Sequence, residues 1–176
     1  AWLEGDWSVI DGAFFDCWDM KRHVVRPFEI PKDWTRFRSG DWGSASPFSF
    51  GWWAIASEPF KTENVTLPRG CLVRYREWYG ASGTNTGLKM DAESVGRGIA
   101  ERSIMKLNDG HVIKEEYSYS VLDPAAFATN GGPSIAEMLI KGGAAFGRAD
   151  NTRVAQRGAM SGWDQVRRRL KGDGDG

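Results

Sequence analysis

The chain has 176 residues and a mass of 19.6 kDa, the size of one domain with a single hydrophobic core. Hydrophobic residues make up 41% and charged residues 26% of the sequence, and this composition excludes a disordered chain, a collagen and a coiled coil. The 23 basic and 23 acidic residues cancel, so a nucleic-acid binder that acts through bulk charge is not indicated. No apolar run approaches the roughly 18 to 20 residues of a membrane span, and we expect no membrane partner.

The first 30 residues predict an arm rather than part of the folded domain. Acidic and aromatic residues are mixed there without a sustained period, and Pro27 and Pro31 punctuate the end of the segment. We therefore expect a linker arm at 1–30 and one domain at 31–176.

The next part of the chain predicts three β-strands. Residues 35–43 and 48–55 are rich in strand-forming residues and are separated by a turn at Ser46-Pro47, which predicts an antiparallel hairpin. A third run of β-formers follows at 71–79.

Helices and strands alternate in the second half. The later elements are predicted as a helix at 91–107, a strand at 111–122, a helix at 133–141 with a Ser134/Glu137 capping box, a short strand at 144–146 and a helix at 161–170. The order β-β-β-α-β-α-β-α predicts an α/β fold with a mixed sheet, in which three antiparallel strands come first and parallel strands follow.

Two aspartates are candidates for a metal site. Asp41 lies on the first predicted strand, and Asp123 follows the fourth. If the fourth strand returns parallel to the first, these acids sit on strands about 4.8 Å apart and their carboxylates can share metal ions. The alternatives are a turn residue for Asp41 and a helix N-cap or Asp-Pro turn for Asp123.

Other acids fit this site less well. Glu77 is on a strand too far from Asp123, and Asp91 and Glu93 at a helix start are more typical of residues that stabilise the helix dipole. An all-carboxylate site selects Mg²⁺ or Mn²⁺ rather than zinc. Two such ions about 3.5 to 4 Å apart can cleave a phosphodiester.

Several other chemistries are not supported by the sequence. The glycine-rich run at 142–148 lacks the Lys and Ser/Thr of a nucleotide-binding P-loop, so we expect no ATP binding. The two cysteines, Cys17 and Cys71, have no metal-ligand spacing, and the two histidines are isolated.

The C-terminal part is rich in arginine. Residues 141–176 hold eight basic and four acidic residues, and the planar guanidinium matches phosphate geometry. A phosphate-contacting surface and an ordinary solvated helix face both remain open. The candidates are Arg153, Arg157, Arg167, Arg168 and Arg169.

A series of short motifs runs in order along nearly the whole chain. The motifs are Gly5-Asp6-Trp7, residues 23–34, Asp41-Trp42-Gly43, residues 76–80, Leu122-Asp123-Pro124, residues 132–137, Ala149-Asp150-Asn151 and residues 162–167. In this order the sequence resembles the C-terminal nuclease half of tailed-phage terminase large subunits.

The resemblance implies a ribonuclease H-like fold and a metal-dependent endonuclease that cuts concatemeric viral DNA during genome packaging. Asp41 and Asp123 match the first-strand and fourth-strand acids, and the arginines become candidates for the DNA track by charge alone. Double-stranded DNA, the terminase ATPase domain, the small terminase subunit and the portal are the implied partners, and the cytoplasm of a bacterial host is the implied location. The family also has an N-terminal ATPase and a third metal-binding acid near the C-terminus. Neither is found in this sequence, so we expect a truncated nuclease of low activity.

Two other functions are weighed. The same fold can serve as a catalytically inert module that docks on DNA or on the packaging machinery, because the third acid is missing. The nine tryptophans are also compatible with a carbohydrate-binding platform, but such a module requires an all-β sandwich, which the predicted helices oppose.

Overall fold

The computed structural model describes residues 14–106, 110–129, 131–151 and 161–172. They divide into two units. The larger comprises residues 30–57 and 72–150, and the smaller comprises the described parts of 1–29, 58–71 and 151–176. Within the residues described, no helix is both long and apolar enough to cross a membrane.

The described elements are short helices and strands. The helices are α1 (Met20–His23), α2 (Ala92–Arg102), α3 (Ile135–Lys141) and α4 (Gly162–Lys171), with a 3₁₀ helix at Pro124–Phe127. The strands are β1 (Thr35–Asp41), β2 (Ser49–Ile55), β3 (Phe60–Lys61), β4 (Thr66–Leu67), β5 (Leu72–Tyr79), β6 (Ala81–Gly83), β7 (Thr86–Gly87), β8 (Ile104–Lys106), β9 (Val112–Lys114), β10 (Tyr119–Leu122) and β11 (Gly147–Arg148).

The larger unit is built on a five-stranded mixed sheet with the order β11-β10-β1-β2-β5. The strands β1, β2 and β5 pair antiparallel, whereas β10 and β11 run parallel to β1. The predicted mixed sheet, with antiparallel strands before parallel ones, is confirmed. The predicted hairpin and the third predicted strand correspond to β1, β2 and β5.

One face of this sheet carries the hydrophobic core. Phe50 and Trp52 of β2 and Leu122 of β10 are at most 1% exposed and pack with apolar residues of α2 and α3. On β1, a Cβ added to Gly40 would lie 2.3 Å from the Phe50 ring, so Gly40 faces this core. Because side chains alternate along a strand, Asp41 belongs to the opposite face. We call the first side the core face and the second the open face.

Helices α2 and α3 begin at caps that the sequence encodes. The Asp91 side chain accepts a hydrogen bond from the Ser94 amide, and the capping box of Ser134 and Glu137 forms as predicted. The helices pack closely because Gly96 leaves no Cβ, which would otherwise lie 2.5 Å from the Leu139 carbonyl oxygen.

Three predicted elements differ from the structure. The strand predicted at 111–122 is two strands, β9 and β10, which belong to different sheets. The helix predicted at 91–107 ends at Arg102, and Ile104–Lys106 forms β8 instead. The reason is the fully buried Ser103, whose hydroxyl donates to the Ile99 carbonyl and whose own carbonyl accepts from the Glu115 amide. The strand predicted at 144–146 is displaced to β11.

The smaller unit joins α1 and α4. Arg167 of α4 forms an ion pair with Asp16, His23 lies with its Nε2 2.8 Å from the Leu170 carbonyl oxygen, and Phe14 contacts the Trp163 ring. The described part of the predicted arm therefore belongs with α4, and residues 1–13 lie outside the described part of the chain.

Candidate functional site

The strand register brings Asp41 and Asp123 to the same end of neighbouring parallel strands. Gly40 of β1 is paired with Leu122 of β10, and the Asp123 amide donates to the Gly40 carbonyl at 3.3 Å. Asp41, the last residue of β1, and Asp123, which follows β10, come next in the chain. Adjacent strands lie about 4.8 Å apart, so the two aspartates are neighbours at the carboxyl end of the parallel strands.

The two carboxylates differ in their bonding. Asp41 is exposed on the open face, and its carboxylate has no hydrogen bond or ion pair to the residues that the structure describes. Asp123 is half-buried and accepts a hydrogen bond from the Ala125 amide at 2.8 Å. Asp123 therefore is an N-cap, as one of the sequence alternatives held, and one hydrogen bond leaves its carboxylate with acceptor capacity.

The acids Glu77, Asp91 and Glu93 have structural partners. Glu77 lies on β5, with β1 and β2 between it and β10, and pairs with Arg74 at 2.8 Å. Asp91 caps α2, and Glu93 forms ion pairs with Arg97 and Lys141 at 2.8 Å. Hydrogen bonds from Ser94 lower the pKa of Asp91, and bonds from Lys141 and Arg97 lower the pKa of Glu93. These contacts fit the interpretation of both residues as helix-stabilising.

A third acid follows β11 at the same edge of the sheet. The Ala149 amide donates to the Leu122 carbonyl at 2.9 Å, and the exposed Asp150 comes next in the chain. Within the described ranges, however, no group of three or more His, Cys, Asp or Glu side chains is arranged to hold a metal ion. The pair of Asp41 and Asp123 supplies oxygen ligands only, the type of ligand that Mg²⁺ and Mn²⁺ prefer.

The arginine candidates are only partly described. Arg153 and Arg157 lie outside the described residues. Arg167 bonds both carboxylate oxygens of Asp16 at 2.9 and 3.1 Å, which raises the pKa of Arg167, whereas Arg168 is exposed and Arg169 donates to the Gly70 carbonyl at 3.2 Å. The Arg167 guanidinium is therefore engaged within the smaller unit.

Sequence reasoning missed a buried polar cluster on the core face. The Glu115 side chain is 3% exposed and accepts two hydrogen bonds from Arg76, at 3.0 and 3.1 Å, and further bonds from the Tyr75 and Tyr117 hydroxyls. Burial, reinforced by the hydrogen bond to Glu115, raises the pKa of Tyr117 to about 12. Burial also raises the pKa of Tyr75. In the sequence, the only sign of this cluster is the mixture of polar and aromatic residues in the segment before β10.

The fold is similar to that of a bacteriophage large terminase. The chain aligns with the large terminase of the thermophilic bacteriophage D6E with a TM-score of 0.52 and 16% identity, covering 91% of this chain and 31% of that protein. A second structure of the same terminase, in complex with ATP-gamma-S, gives a TM-score of 0.50 and 16% identity over 90% of this chain and 31% of that protein. The chain thus spans about a third of the length of these terminases. No protein-family profile and no curated protein matches the sequence.

Proposed function

We propose that this chain is a metal-dependent DNA endonuclease domain of the terminase large-subunit type, with a ribonuclease H-like fold. In this proposal it hydrolyses phosphodiester bonds of concatemeric viral DNA during genome packaging, in the cytoplasm of a bacterial host. Its partners are double-stranded DNA, a packaging ATPase domain, a small terminase subunit and the portal. Support comes from the fold likeness and from the motif series along the sequence.

The observation that carries the proposal is the register of β1 and β10. It sets Asp41 and Asp123 side by side at the end of parallel strands, and the Asp41 carboxylate is exposed and without a partner among the described residues. Carboxylate oxygens that accept few hydrogen bonds within the protein are available to ligate a cation.

The two aspartates would hold Mg²⁺ or Mn²⁺ through their carboxylate oxygens. When bound, such an ion stabilises negative charge on the phosphate and lowers the pKa of water. The Asp123 carboxylate is oriented by its bond to the Ala125 amide, whereas only the backbone of Asp41 is positioned, at the end of β1. The exposed arginines of α4, Arg168 and Arg169, are candidates for contacts to the DNA backbone, which position the duplex without reading its sequence.

The test is a plasmid-nicking assay with Mn²⁺, with Mg²⁺ and with a chelator. Asp41→Asn removes a ligand and a negative charge, and we expect the Mn²⁺-dependent rate to fall at least about 100-fold, because loss of residues that merely support metal ligands already costs 10- to 100-fold. Mn²⁺ should support faster cleavage than Mg²⁺, because Mg²⁺ demands a more complete octahedral shell.

Two further variants make the assay specific. Asp123→Asn keeps an acceptor for the Ala125 amide, so it should lose cleavage while its free energy of unfolding stays within about 0.5 kcal/mol of the parent. Glu77→Gln is the matched control, since it removes an exposed carboxylate of the same sheet that is paired with Arg74. An unchanged nicking rate in Asp41→Asn would refute the catalytic role.

A second candidate function has its own supporting observation. No group of three acids able to hold a metal occurs in the described part of the chain, which favours an inert module that docks on DNA or on the packaging machinery. In that case the chain binds duplex DNA with a steep salt dependence, and neither metal produces cleavage above that of the Asp41→Asn variant.

A further inference from the structure

An open depression of about 670 Å³ lies on the larger unit, toward the amino ends of the parallel strands. Its lining includes Arg38, Lys114, Glu116, Ser120, Ala145 and Phe146. Arg38 precedes Asp41 by three residues on β1, about 10 Å along the strand, and belongs to the core face rather than the open face. The depression is therefore separate from the aspartate pair.

The central feature of this depression is a buried arginine. Arg38 is 9% exposed, and its guanidinium lies near two aromatic rings, 4.5 Å from the centroid of Tyr117 and 5.0 Å from that of Phe146. Burial is the largest influence on its pKa and lowers it, yet an arginine stays protonated in proteins. A full positive charge is thus held in a largely desolvated position.

This charge has no carboxylate partner of its own. Arg38 donates to the Ser120 hydroxyl at 3.0 Å, to the Ser103 hydroxyl at 3.2 Å and to the Ala145 carbonyl at 3.3 Å, and all three acceptors are neutral. Among the residues described, no acid lies within 4 Å of its guanidinium. Glu115 is the acid whose charge acts on Arg38, but its two oxygens are bonded by Arg76 and by the two tyrosines.

The depression also has more hydrogen-bond donors than acceptors. A guanidinium has five N–H groups, and the bonds named above use three of them. Ser120 accepts from Arg38 and keeps its own O–H to donate, and the exposed Lys114 adds an ammonium group. The one carboxylate at the rim without a named partner among the described residues is the exposed Glu116.

We infer that the depression around Arg38 binds a phosphate group. A buried cation without a counter-ion is costly, and an anion that enters the depression offsets that cost while it accepts from the free donors. Phosphate suits this set because its several oxygens can accept from a guanidinium, a hydroxyl and an ammonium together. The volume lies in the range of small-ligand sites, so free phosphate or the terminal phosphate of a nucleic-acid strand fits its dimensions.

The first measurement is calorimetric titration of the protein with sodium phosphate against sodium chloride at equal ionic strength. Backbone and arginine side-chain N–H resonances are followed in parallel by NMR. We expect saturable phosphate binding that moves the Arg38 Nε–H resonance, with no comparable effect of chloride. Absence of saturable phosphate binding would overturn the inference.

Variants at the rim keep the test independent of folding. Lys114→Gln should weaken phosphate binding and Glu116→Gln should strengthen it, each by about two- to fivefold, because an exposed charge contributes roughly 0.5 to 1 kcal/mol. Lys89→Gln and Glu101→Gln, which remove exposed charges elsewhere on the larger unit, are the matched controls. Arg38→Gln should weaken binding more than tenfold. Equal effects of the rim and control variants would contradict the assignment.

Competition with oligonucleotides identifies the source of the phosphate. Stronger competition by a 5′-phosphorylated strand than by its 5′-hydroxyl counterpart indicates a terminal phosphate, whereas competition by neither leaves free phosphate as the ligand. Asp41→Asn should bind phosphate as the parent protein does. Failure of the cleavage proposal and failure of the phosphate-binding proposal can thus be distinguished, because they are measured in different assays with different variants.

Discussion

The acidic residues at the two ends of the parallel strands differ in exposure and in the number of hydrogen bonds that their carboxylates accept. At the carboxyl end, Asp41 is exposed and Asp123 has one hydrogen bond, so carboxylate lone pairs remain available. At the amino end, Glu115 is 3% exposed and is bonded by Arg76, Tyr75 and Tyr117. An acid of the first kind can bind a cation, whereas an acid of the second kind stabilises the fold. The number of hydrogen bonds that a carboxylate already accepts therefore distinguishes an acid that is free to bind a cation from one that is bonded within the protein.

The largest expected effect concerns Glu115, the buried acid at the amino end of the parallel strands. Glu115→Gln removes the buried negative charge that Arg76 bonds and that also acts on the buried Arg38. We expect the free energy of unfolding to fall by about 3 to 5 kcal/mol, the usual consequence of breaking a buried ion pair. Urea denaturation followed by circular dichroism measures this change.

The matched control is the neighbouring Glu116→Gln, because Glu116 is exposed. It should change the free energy of unfolding by no more than about 0.5 kcal/mol. If Glu115→Gln changed the free energy of unfolding as little as Glu116→Gln does, the polar cluster would contribute little to stability. The proposed difference between the acids at the two ends would then be wrong.

A glycine between the two ends provides the next prediction. A Cβ at Gly40 would lie 2.3 Å from the buried Phe50 ring and 3.1 Å from Leu122. Gly40→Ala should therefore destabilise the protein by about 1 to 3 kcal/mol, as overpacking of a filled core does. Because Gly40 adjoins Asp41 and pairs with Leu122, the same change should also slow Mn²⁺-dependent nicking.

Gly83→Ala is the control for this prediction, since the nearest atoms to its added Cβ are 4.0 Å away. It should leave both unfolding and nicking nearly unchanged. A Gly40→Ala protein that unfolds at the parent urea concentration would show that Phe50 has room to move, and the packing argument would be wrong.

The sequence was informative where local patterns determine structure. The strand-forming runs predicted β1, β2 and β5, and the Ser134/Glu137 spacing predicted the capping box of α3. The position of Asp123 directly after a strand followed from the Asp-Pro turn. Each of these signals lies within a few residues of the element it predicts, so no knowledge of the tertiary arrangement was needed.

The polar cluster could not be predicted because its contacts are distant in sequence. Arg38 lies in an alternating run that normally places Phe37 inside and the arginines outside, but the structure buries Arg38 and stacks Phe37 on Tyr119 at 4.7 Å. The hydroxyl of Ser103, the residue at which α2 ends, accepts hydrogen bonds from Arg38 of β1 and Trp52 of β2. Tertiary hydrogen bonds here override local propensity.

The smallest expected effect concerns the pH dependence of the cluster. Burial and the bond to Glu115 raise the pKa of Tyr117 to about 12 in the folded protein, whereas an unfolded tyrosine releases its proton near pH 10. The folded state therefore binds the proton more tightly. This contribution to stability is fully present below about pH 10 and is lost as the pH rises from 10 to 12.

Tyr117→Phe removes the titrating group, so the decline in its unfolding free energy between pH 10 and pH 12 should be shallower than in the parent. The difference should amount to about 1 kcal/mol, because Tyr117 is only half-buried and solvent screens part of the shift. Tyr79→Phe, at a tyrosine that is 56% exposed, should retain the parent slope. Urea titrations at half-unit pH steps compare the three proteins. Parallel slopes for the parent and Tyr117→Phe would mean that the Tyr117 proton is held no more tightly in the folded protein than in the unfolded chain.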